Sequence, residues 1–462
     1  MTRISRSMNA IPPRATRVRY LVAALIASGA VSLYLTRHCL AVTNEEIQQD
    51  LGIGSTEMGA VFGLFSLGYL LFQVPGGALG TRFGTRWGLS ALSVIWSLLT
   101  LVTAAAHSLL PLEIARFLFG AAQAGFVPIT AKILKDWFPE KQWGITSAFV
   151  GVSMSIGGAL AMDVTGRLTG AFDWRVIFQM YSVVGVFWSI AFVTLFRNTP
   201  RDHPWTNDDE IALIAAGSSP VTGAASADRF LTLKNLGIIV CSVNLWAICL
   251  QSFCRAAGYN FFVTFFPEFL THNFDGVDAA QAGLFTKYPM IGVVCGGLLG
   301  GLLIDRIYTR SGNKWLSRSA VAVVALSLTS LLTFVSFYAT SVTGFVALIT
   351  LGAACSGIGS PAAWAATLDV GGKHTSVVAG IMNMAGCISG VVVTPLLGGM
   401  IDILKGKEQA VTVKVLGLGV SLDSSQITDW NQVIFMHAAF YLAGAVFWLF
   451  VRSSKPLLPE SG

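Results

Sequence analysis

The chain has 462 residues, of which 54% are hydrophobic and 12% charged, and its mean hydropathy is +0.67. Water-soluble domains of this size do not combine so large an apolar fraction with so few charges, so that class is excluded and most of the chain is expected to face lipid. The formal net charge is +6, which membrane topology explains without a nucleic-acid partner.

Twelve apolar stretches follow one another along the chain. Each is long enough to cross a hydrocarbon core of about 30 Å, which takes roughly 20 helical residues. We therefore expect an all-α membrane protein with twelve transmembrane helices. The predicted spans are 20–42, 57–79, 87–107, 110–132, 145–168, 176–196, 238–264, 280–304, 318–338, 343–366, 377–402 and 431–451.

Lysine and arginine fall mainly on one side of these spans. Twenty-one lie in the two terminal segments and the loops on the same side, five lie in the opposite loops, and four lie within spans. Positively charged loops stay in the cytoplasm. We expect both termini to be cytoplasmic, in a bacterial-type plasma (inner) membrane.

One long polar break divides the spans into two sets of six. It begins with TPRDHPWTNDDE and continues with a Ser/Gly/Ala-rich stretch, the composition of a linker. A short pattern recurs 224 residues apart, as GALGTRFGTR from Gly77 and GLLIDRIYTR from Gly301. This repeat predicts a duplicated plan with these parts: a cytoplasmic tail at 1–19, a six-helix bundle at 20–196, a cytoplasmic linker at 197–234, a second bundle at 235–452 and a cytoplasmic tail at 453–462.

The repeated pattern resembles the loop motif of the major facilitator superfamily. In that motif a glycine is followed by three residues, Asp, Arg or Lys, any residue, Gly and two basic residues. The first copy departs from it at Thr81 and Thr85. The resemblance implies the major facilitator fold, with two pseudo-symmetric six-helix bundles around a central pathway. It also implies conformational gating by the loop residues Gly77, Arg82, Gly84, Arg86, Asp305 and Arg306.

Four other segments resemble the anion:cation symporter group of that superfamily. They are FSLGYLLFQVPGG from Phe65, KDWFPEKQWG from Lys135, DWRVIF from Asp173 and TPRDHP from Thr199. This group includes carriers of sugar acids such as galactonate and hexuronates, of phthalate-type acids, and the sialin and vesicular glutamate carriers. The resemblance implies a secondary active transporter that takes up a small organic anion, a sugar acid or other carboxylate, by ion-coupled symport.

Arg37 in span 1 and Arg116 in span 4 are the most informative charges inside spans. A lone arginine at bilayer depth costs roughly 2.5–3.5 kcal/mol, so it usually faces protein or a watery cavity. Both lie roughly 8 Å below the outer surface by their position along the helices. Two guanidinium groups at one level can grip a carboxylate, although each can also snorkel to the interface. The resemblance favours substrate binding, because symporters of this group use an arginine at each position.

Two tyrosines and a glutamine accompany these arginines. Tyr34 stands one helical turn before Arg37, and Tyr69 lies near the middle of span 2 with Gln73 one turn beyond it. We expect all three to line the site, as the resemblance implies for the tyrosines. The alternative is ordinary packing with a satisfied hydroxyl.

Ion coupling has no obvious carboxylate in the first half. The sugar-acid carriers resembled here carry an acid immediately before the first arginine and a glutamate seven residues after the second, where this chain has Thr36 and Gln123. Neither residue exchanges a proton. The substitute candidates are His38, which titrates near neutral pH, and Asp163, which can instead form an i,i+4 pair with Arg167.

Polar residues also recur inside spans of the second half. Arg255 lies near the middle of span 7 and is followed by Tyr259 and Asn260 on the next turn. Each can contact substrate or pair with neighbouring helices, and small polar residues also serve helix packing. The remaining candidates are Ser356, Ser360 and Trp364, at four-residue spacing in span 10, and Asn383, which matches the family's GIMN-type segment.

Other function classes find less support. The sequence has no HExxH, GxSxG or CxxC motif and no phosphate-binding glycine loop, so we expect no enzyme, no ATP-driven pump, no metal and no organic cofactor. Two further alternatives find less support for want of their usual marks. A non-transporting anion sensor usually has a large cytoplasmic domain, and an exporter usually has a proline in its glycine-rich helix 5. A facilitator or an anion exchanger remains an alternative, and the coupling ion is a proton or sodium. We expect a monomer whose partners are the substrate and the lipid bilayer.

Overall fold

The computed structural model is almost entirely helical in the part of the chain that it describes. The described residues are 15–139, 142–216, 241–371, 375–406, 408–415 and 418–454. Most of the predicted N-terminal and C-terminal tails, the second part of the predicted linker and the first residues of the predicted second bundle lie outside these ranges.

The first half contains eight α-helices, and a ninth lies in the predicted linker. Gly125 alone separates α5 from α6, so these two helices form one continuous crossing. The helices are α1 (Val18–Val42), α2 (Asn44–Leu51), α3 (Ser55–Arg82), α4 (Thr85–Ala104), α5 (Leu109–Ala124), α6 (Phe126–Trp137), α7 (Trp143–Leu168), α8 (Trp174–Leu195) and α9 (Asp208–Ala216).

The described part of the second half contains seven α-helices and one β-hairpin. A short π-helical turn, Leu316–Ala320, leads directly into the fourth of these helices. The elements are α10 (Val243–Thr264), α11 (Phe266–Asn273), α12 (Ala279–Ser311), α13 (Val321–Val335), α14 (Val342–Gly371), α15 (Thr375–Leu404), β1 (Ala410–Val415), β2 (Leu418–Asp423) and α16 (Asn431–Leu449).

Eleven segments of the described chain are long and apolar enough to cross a membrane, and each coincides with a predicted span. The prediction of an all-α, multi-pass membrane fold is therefore confirmed. The remaining predicted span, 238–264, corresponds to α10, a 22-residue helix. The mean hydropathy of α10 is lower than that of the other eleven segments, because this helix contains Asn244, Gln251 and Arg255.

The predicted linker is not structureless where it is described. Glu210 of α9 is fully buried and accepts hydrogen bonds from the backbone N–H groups of Val18 and Arg19, both at 3.1 Å. Its carboxylate also pairs with the Arg19 guanidinium at 3.0 Å. The first N–H groups of a helix have no partner within the helix, and its N-terminus favours negative charge. Glu210 therefore caps α1 and attaches the start of the linker to the first bundle.

The β-hairpin between α15 and α16 is an addition that the predicted spans do not contain. β1 and β2 pair antiparallel, with Ala410 opposite Asp423. Alternate residues of β1 are buried, and Val413 packs against Gly399 of α15. The alternating sequence AVTVKV is typical of a half-buried strand, so the hairpin covers the end of α15.

The two halves contact each other mainly at one end of the bundle. We call the end that holds Val18 and Arg452 the terminus face, and the end that holds Val42 and Ser55 the opposite face. The hydrogen bonds and ion pairs found between described residues of the two halves lie toward the opposite face. These contacts hold the described halves together there.

Helices α3 and α5 cross closely within the first half. A Cβ atom added to Gly68 would lie 2.1 Å from the carbonyl oxygen of Phe117, and one added to Gly120 would lie 2.1 Å from that of Phe65. Glycine at both positions lets the two backbones touch, as small residues do in membrane helix pairs. The crossing also brings Phe65 beside the helix that carries Arg116.

We predict that Gly120→Ala lowers the melting temperature of the purified protein, because its methyl group must push the two helices apart. Overpacking typically costs about 1–3 kcal/mol. Gly151→Ala is the matched control, since nothing lies within 4 Å of a Cβ at that position in α7. Thermal unfolding in detergent measures both variants. Equal melting temperatures would show that the α3 and α5 contact tolerates a methyl group.

Candidate substrate site

Arg37 and Arg116 both lie near a single aromatic ring inside the first bundle. The Cζ atoms of Arg37 and Arg116 lie 5.0 and 5.4 Å from the ring centroid of Phe65. Arg116 is only 1% exposed and Arg37 is half-buried. Among the described residues, neither guanidinium has an ion-pair partner, and the Nε of Arg116 has no hydrogen-bond partner. Arg116 therefore does not snorkel to the interface, and substrate binding by the pair stays a prediction.

Arg37 also lies over both predicted tyrosines. Its Cζ atom is 4.6 Å from the ring centroid of Tyr34 and 5.1 Å from that of Tyr69. Aromatic faces attract a cation when they lie within about 6 Å of it. Gln73 is half-buried one turn further along α3, toward the terminus face. The fold thus gathers Tyr34 and Tyr69 around Arg37, and a substrate contact by either tyrosine stays a prediction.

Gln123 fixes the position of Arg37. Its Oε1 atom accepts a hydrogen bond from Arg37 Nε at 2.9 Å, while its Nε2 atom donates to the carbonyl oxygen of Leu33 at 3.1 Å and to Thr36 Oγ1 at 3.3 Å. The side chain is fully buried. The two positions at which the resembled carriers have acids are therefore hydrogen-bonded to each other. Both are neutral, so this network holds Arg37 without compensating its charge.

The two substitute coupling candidates have different surroundings. His38 is buried, with its ring centroid 5.2 Å from that of Tyr34, and its Nε2 atom makes no hydrogen bond to a described residue. Asp163 pairs with Arg167 at 3.0 Å, the predicted i,i+4 contact, and also with Lys287 of α12. Asp163 therefore joins the two halves near the opposite face, a contact that spacing within one helix does not reveal.

The polar candidates of the second half include Arg255 and Tyr259, which lie one turn apart on α10. Tyr259 is half-buried. Its hydroxyl donates to the sulfur of Met290 at 3.9 Å. Arg255 is half-buried, and its Nε atom is buried without a described hydrogen-bond partner.

Asn260, the third candidate on α10, has a packing role in this structure. Its Nδ2 atom donates to Ser389 Oγ of α15 at 3.1 Å. A Cβ added to the neighbouring Gly390 would meet both Asn260 and Ser66 of α3. Asn260 therefore lies where α3, α10 and α15 meet, and a substrate contact there stays a prediction.

The three residues of the predicted stripe on span 10 differ in burial. Ser356 is buried beside Tyr441 of α16, Ser360 is half-buried, and Trp364 is 48% exposed. Residues four apart advance about 40° around a helix, so the first and last of the three differ by about 80°. Asn383 is half-buried in α15.

The sequence analysis missed Phe65, which lies beside Arg37 and Arg116, and Tyr441, which lies beside Ser356. An aromatic residue in an apolar span gives no distinguishing signal.

The first gating motif packs against the end of α8. Gly84 has φ +80°, a left-handed conformation that favours glycine, and it lies against Asn198. The backbone N–H of Arg86 donates to Asn198 Oδ1 at 2.9 Å, and Arg86 Nε donates to the carbonyl oxygen of Val193 at 2.8 Å. Gly77 packs against α6, while the side chains of the remaining three gating candidates are exposed: Arg82, Asp305 and Arg306.

A buried carboxylate closes the opposite face. Glu268 of α11 is 1% exposed and accepts hydrogen bonds from Asn44, from Gln48 at 3.2 Å and from Ser55 Oγ at 2.7 Å, all in the first half. It also pairs with Lys405 at the end of α15. Breaking a buried, hydrogen-bonded ion pair leaves an uncompensated charge, which costs several kcal/mol. Glu268 is therefore the centre of the contact between the halves.

A second carboxylate from α15 strengthens this closure. Asp402 accepts hydrogen bonds from the backbone N–H groups of Ser55, at 2.7 Å, and Thr56. These are the first residues of α3, so an acid of the second half caps a helix of the first. Apolar contacts lie beneath, where the rings of Phe62 and Phe265 meet edge to face at 5.6 Å.

A titratable pair lies at the outer edge of the same closure. His272 Nδ1 and Glu45 Oε1 are 2.8 Å apart, and Lys405 lies 4.0 Å from Glu45. The hydrogen bond and charge of Glu45 raise the pKa of His272 above its ordinary value. Burial alone would raise the pKa of Glu45, but the hydrogen bond and charge of His272, with Lys405, bring it below its ordinary value. The pair is therefore charged between those two pKa values.

Comparison with known proteins identifies one matching family model and several relatives of similar sequence. The family model described as Major Facilitator Superfamily matches residues 26–395. The chain is 26% identical over 389 residues to the probable sulfoacetate transporter of Cupriavidus necator, covering 84% of this chain and 88% of that protein. It is also 26% identical over 415 residues to the probable galactarate/D-glucarate transporter of Escherichia coli, with coverages of 87% and 90%.

A solved structure shares the fold. A bacterial homologue of the human lysosomal transporter Spinster, in an inward-facing and unoccupied conformation, superimposes with a TM-score of 0.69 at 16% sequence identity. The match covers 95% of each chain. At this identity the likeness concerns the fold alone.

We predict that the opposite face loosens as the pH rises through the raised pKa of His272, because the neutral imidazole no longer attracts Glu45. Below that pH the pair is intact, until Glu45 is protonated at a pH below its ordinary 4.5. Spin labels at the exposed positions of Gln49→Cys and Asp275→Cys report the separation of the halves. In the wild type we expect a population with a longer distance between the two labels at alkaline pH. In His272→Gln we expect that population already at neutral pH. A distance distribution independent of pH would contradict this role of the pair.

Proposed function

Because the chain belongs to the major facilitator superfamily, we propose that it is a secondary transporter that carries a small organic anion across the membrane by alternating access. The observation that carries the proposal is the pair of guanidinium groups of the buried Arg116 and the half-buried Arg37, which both lie near the ring of Phe65 and have no described carboxylate partner. The relatives named above support it, since both are named as transporters of organic anions.

The electrostatics of this pair select the charge of the substrate. Removing a charged group from water carries a cost of several kcal/mol unless a partner of opposite sign is supplied. Guanidinium forks bind carboxylates through two parallel hydrogen bonds, and Tyr34 and Tyr69 can donate to further substrate oxygens. An anionic substrate offsets the cost of burying these arginines, whereas a cation is repelled by their field.

Alternating access requires a site that communicates with one side at a time. With both termini in the cytoplasm of a bacterial inner membrane, as the charge distribution predicts, the described closure lies on the external side. Transition to the other state must then break the contacts of Glu268 and Asp402 with the first half and form new ones at the terminus face. Since one chain contains both halves, a monomer suffices for this cycle.

The transport mode has two candidates. The first is ion-coupled symport, and the second is exchange of one anion for another. Ion-coupled symport, with a proton or sodium, needs a group that releases its ion beside the substrate. In the described chain Gln123 and Tyr69 hydrogen-bond Arg37, Thr36 hydrogen-bonds Gln123, and none of the three is a carboxylate. An empty carrier must then occlude two unpaired guanidinium groups to reorient, which is costly. A carrier that returns only when loaded is an exchanger.

We predict that Arg116→Ala reduces uptake more than about tenfold while the protein inserts and folds normally, since a charge-assisted hydrogen bond contributes about 1.5–3 kcal/mol. Proteoliposomes tested with sulfoacetate, galactarate and a hexuronate measure it. Arg116→Lys keeps the charge but loses the fork and should transport weakly. Arg201→Ala, which removes an exposed arginine in the linker, is the control. Wild-type rates in Arg116→Ala would remove this residue from substrate recognition.

We also predict that Gln123→Glu makes uptake more dependent on a proton gradient. The new carboxylate would lie beside Arg37, pair with it in the empty carrier and exchange its proton during the cycle. Gln123→Leu is the control, because it removes the hydrogen bond to Arg37 without adding a titratable group. Uptake into proteoliposomes with and without an imposed pH gradient provides the readout. The same pH profile for wild type and Gln123→Glu would count against the idea.

A further inference from the structure

The end of α15 at the opposite face is packed on two sides. On one side Gly398 approaches the first half so closely that an added Cβ would lie 2.0 Å from the carbonyl oxygen of Ser55. Asp402 and Lys405 continue this side, because residues four and seven positions further on return to the same face of a helix. Both take part in the closure of the opposite face, Asp402 at the start of α3 and Lys405 at Glu268. This side of α15 therefore contributes to the contact between the halves.

The β-hairpin covers another side of the same segment. A Cβ added to Gly399 would lie 2.6 Å from the side chain of Val413, 3.0 Å from that of Leu422 and 3.6 Å from that of Val411. The hairpin and the end of α15 share one apolar cluster, whose members all belong to the second half: Val392, Leu396, Met400, Ile403, Leu404, Val411, Val413, Val415, Leu422 and Ile427. The hairpin and the end of α15 thus form one packed unit.

Backbone hydrogen bonds within α15 support this end of the helix only weakly. Pro395 lies inside α15 and has no N–H group to donate to the carbonyl oxygen of Val391. The last four carbonyl groups of any helix also lack partners within the helix. Residues 396–404 lie between these two interruptions, and helix ends of this kind fray unless tertiary contacts hold them. The packing of the hairpin against Gly399 and Ile403 is such a contact.

We propose that the hairpin positions Asp402 and Lys405 for the closure of the opposite face. It holds residues 396–404 in helical form, so that Asp402 reaches the start of α3 and Lys405 reaches Glu268. Loss of this support weakens the contacts of the closed state and leaves the open state unaffected, so the packing of the hairpin sets how often the face opens. The inference rests on the alternating access of the proposed function and is independent of the chemistry of the substrate.

Distances between the halves test the proposal in the purified full-length protein without substrate. Spin labels at Gln49→Cys and Asp275→Cys are introduced after the seven native cysteines are replaced by alanine. Val413→Asn places an amide in the apolar cluster, whereas Leu418→Asn makes the matched change where the side chain is 73% exposed. We expect Val413→Asn to enlarge the population with the longer distance at least about fivefold, and Leu418→Asn to change it less than about 1.5-fold.

Two further variants keep the test decisive if Val413→Asn does not fold. Val413→Ala removes packing without adding a polar group and should give a smaller increase of the same population. The second variant replaces residues 410–423 by two glycines. The chain is not stretched by this excision, because the backbone N–H of Ser424 donates to the carbonyl oxygen of Gln409 at 2.8 Å. We expect the excised variant to open at least as often as Val413→Asn.

Asp402→Asn supplies the reference for a released face, because it weakens the contact with the start of α3 directly. The longer distance in the hairpin variants should equal the longer distance in Asp402→Asn. A different distance would overturn the proposal, since the hairpin would then act on another part of the closure.

A role confined to the stability of the hairpin gives another result. Val413→Asn and the excised variant would then lower the melting temperature while their distance distributions stayed as in the wild type, and the proposal would be wrong. Failure of the wider function is distinguishable, because these distances are measured without substrate. If the wild type takes up no organic anion but its distances respond to the hairpin variants as expected, anion transport is wrong and the role of the hairpin stands.

Discussion

The burial of guanidinium groups without protein carboxylates is the constraint on which the candidate site depends. Arg116 is almost completely enclosed, and Arg37 is held by the amide of Gln123 and by the faces of Tyr34, Phe65 and Tyr69. Amide oxygens and aromatic faces orient a cation, but they do not cancel its charge. The positive potential that results is a property of the empty site, and an anion is the partner that removes it.

Several charged groups elsewhere in the described chain are paired, and their pairing serves a different purpose. Asp163 pairs with Lys287 across the two halves at the opposite face. Glu268 pairs with Lys405 within the second half and accepts hydrogen bonds from Asn44, Gln48 and Ser55 of the first. The contacts that cross between the halves exist only while that face is closed. Paired charges thus stabilise one conformation, whereas unpaired arginines in the middle of the bundle provide recognition.

Several contacts escape the sequence analysis for a common reason, which is that periodicity and composition describe one segment at a time. Asp163 looks like half of a local pair with Arg167, but its second partner, Lys287, is 124 residues away. The linker looks structureless by composition, but Glu210 within it caps α1. The four-residue spacing of Ser356 and Trp364 suggests one stripe, but rotation along the helix gives them different surroundings.

The amino-acid sequence by itself determined that the protein is a multi-pass helical membrane protein, where eleven of its spans lie, and which cations lie within them. These features follow from local hydropathy, since an apolar segment of about 20 residues must span lipid whatever its neighbours are. Only the tertiary structure decided that Arg37 and Arg116 share the ring of Phe65 and that Gln123 orients Arg37. Those contacts join helices far apart in the chain, and their distances depend on how the helices pack, which no single segment encodes.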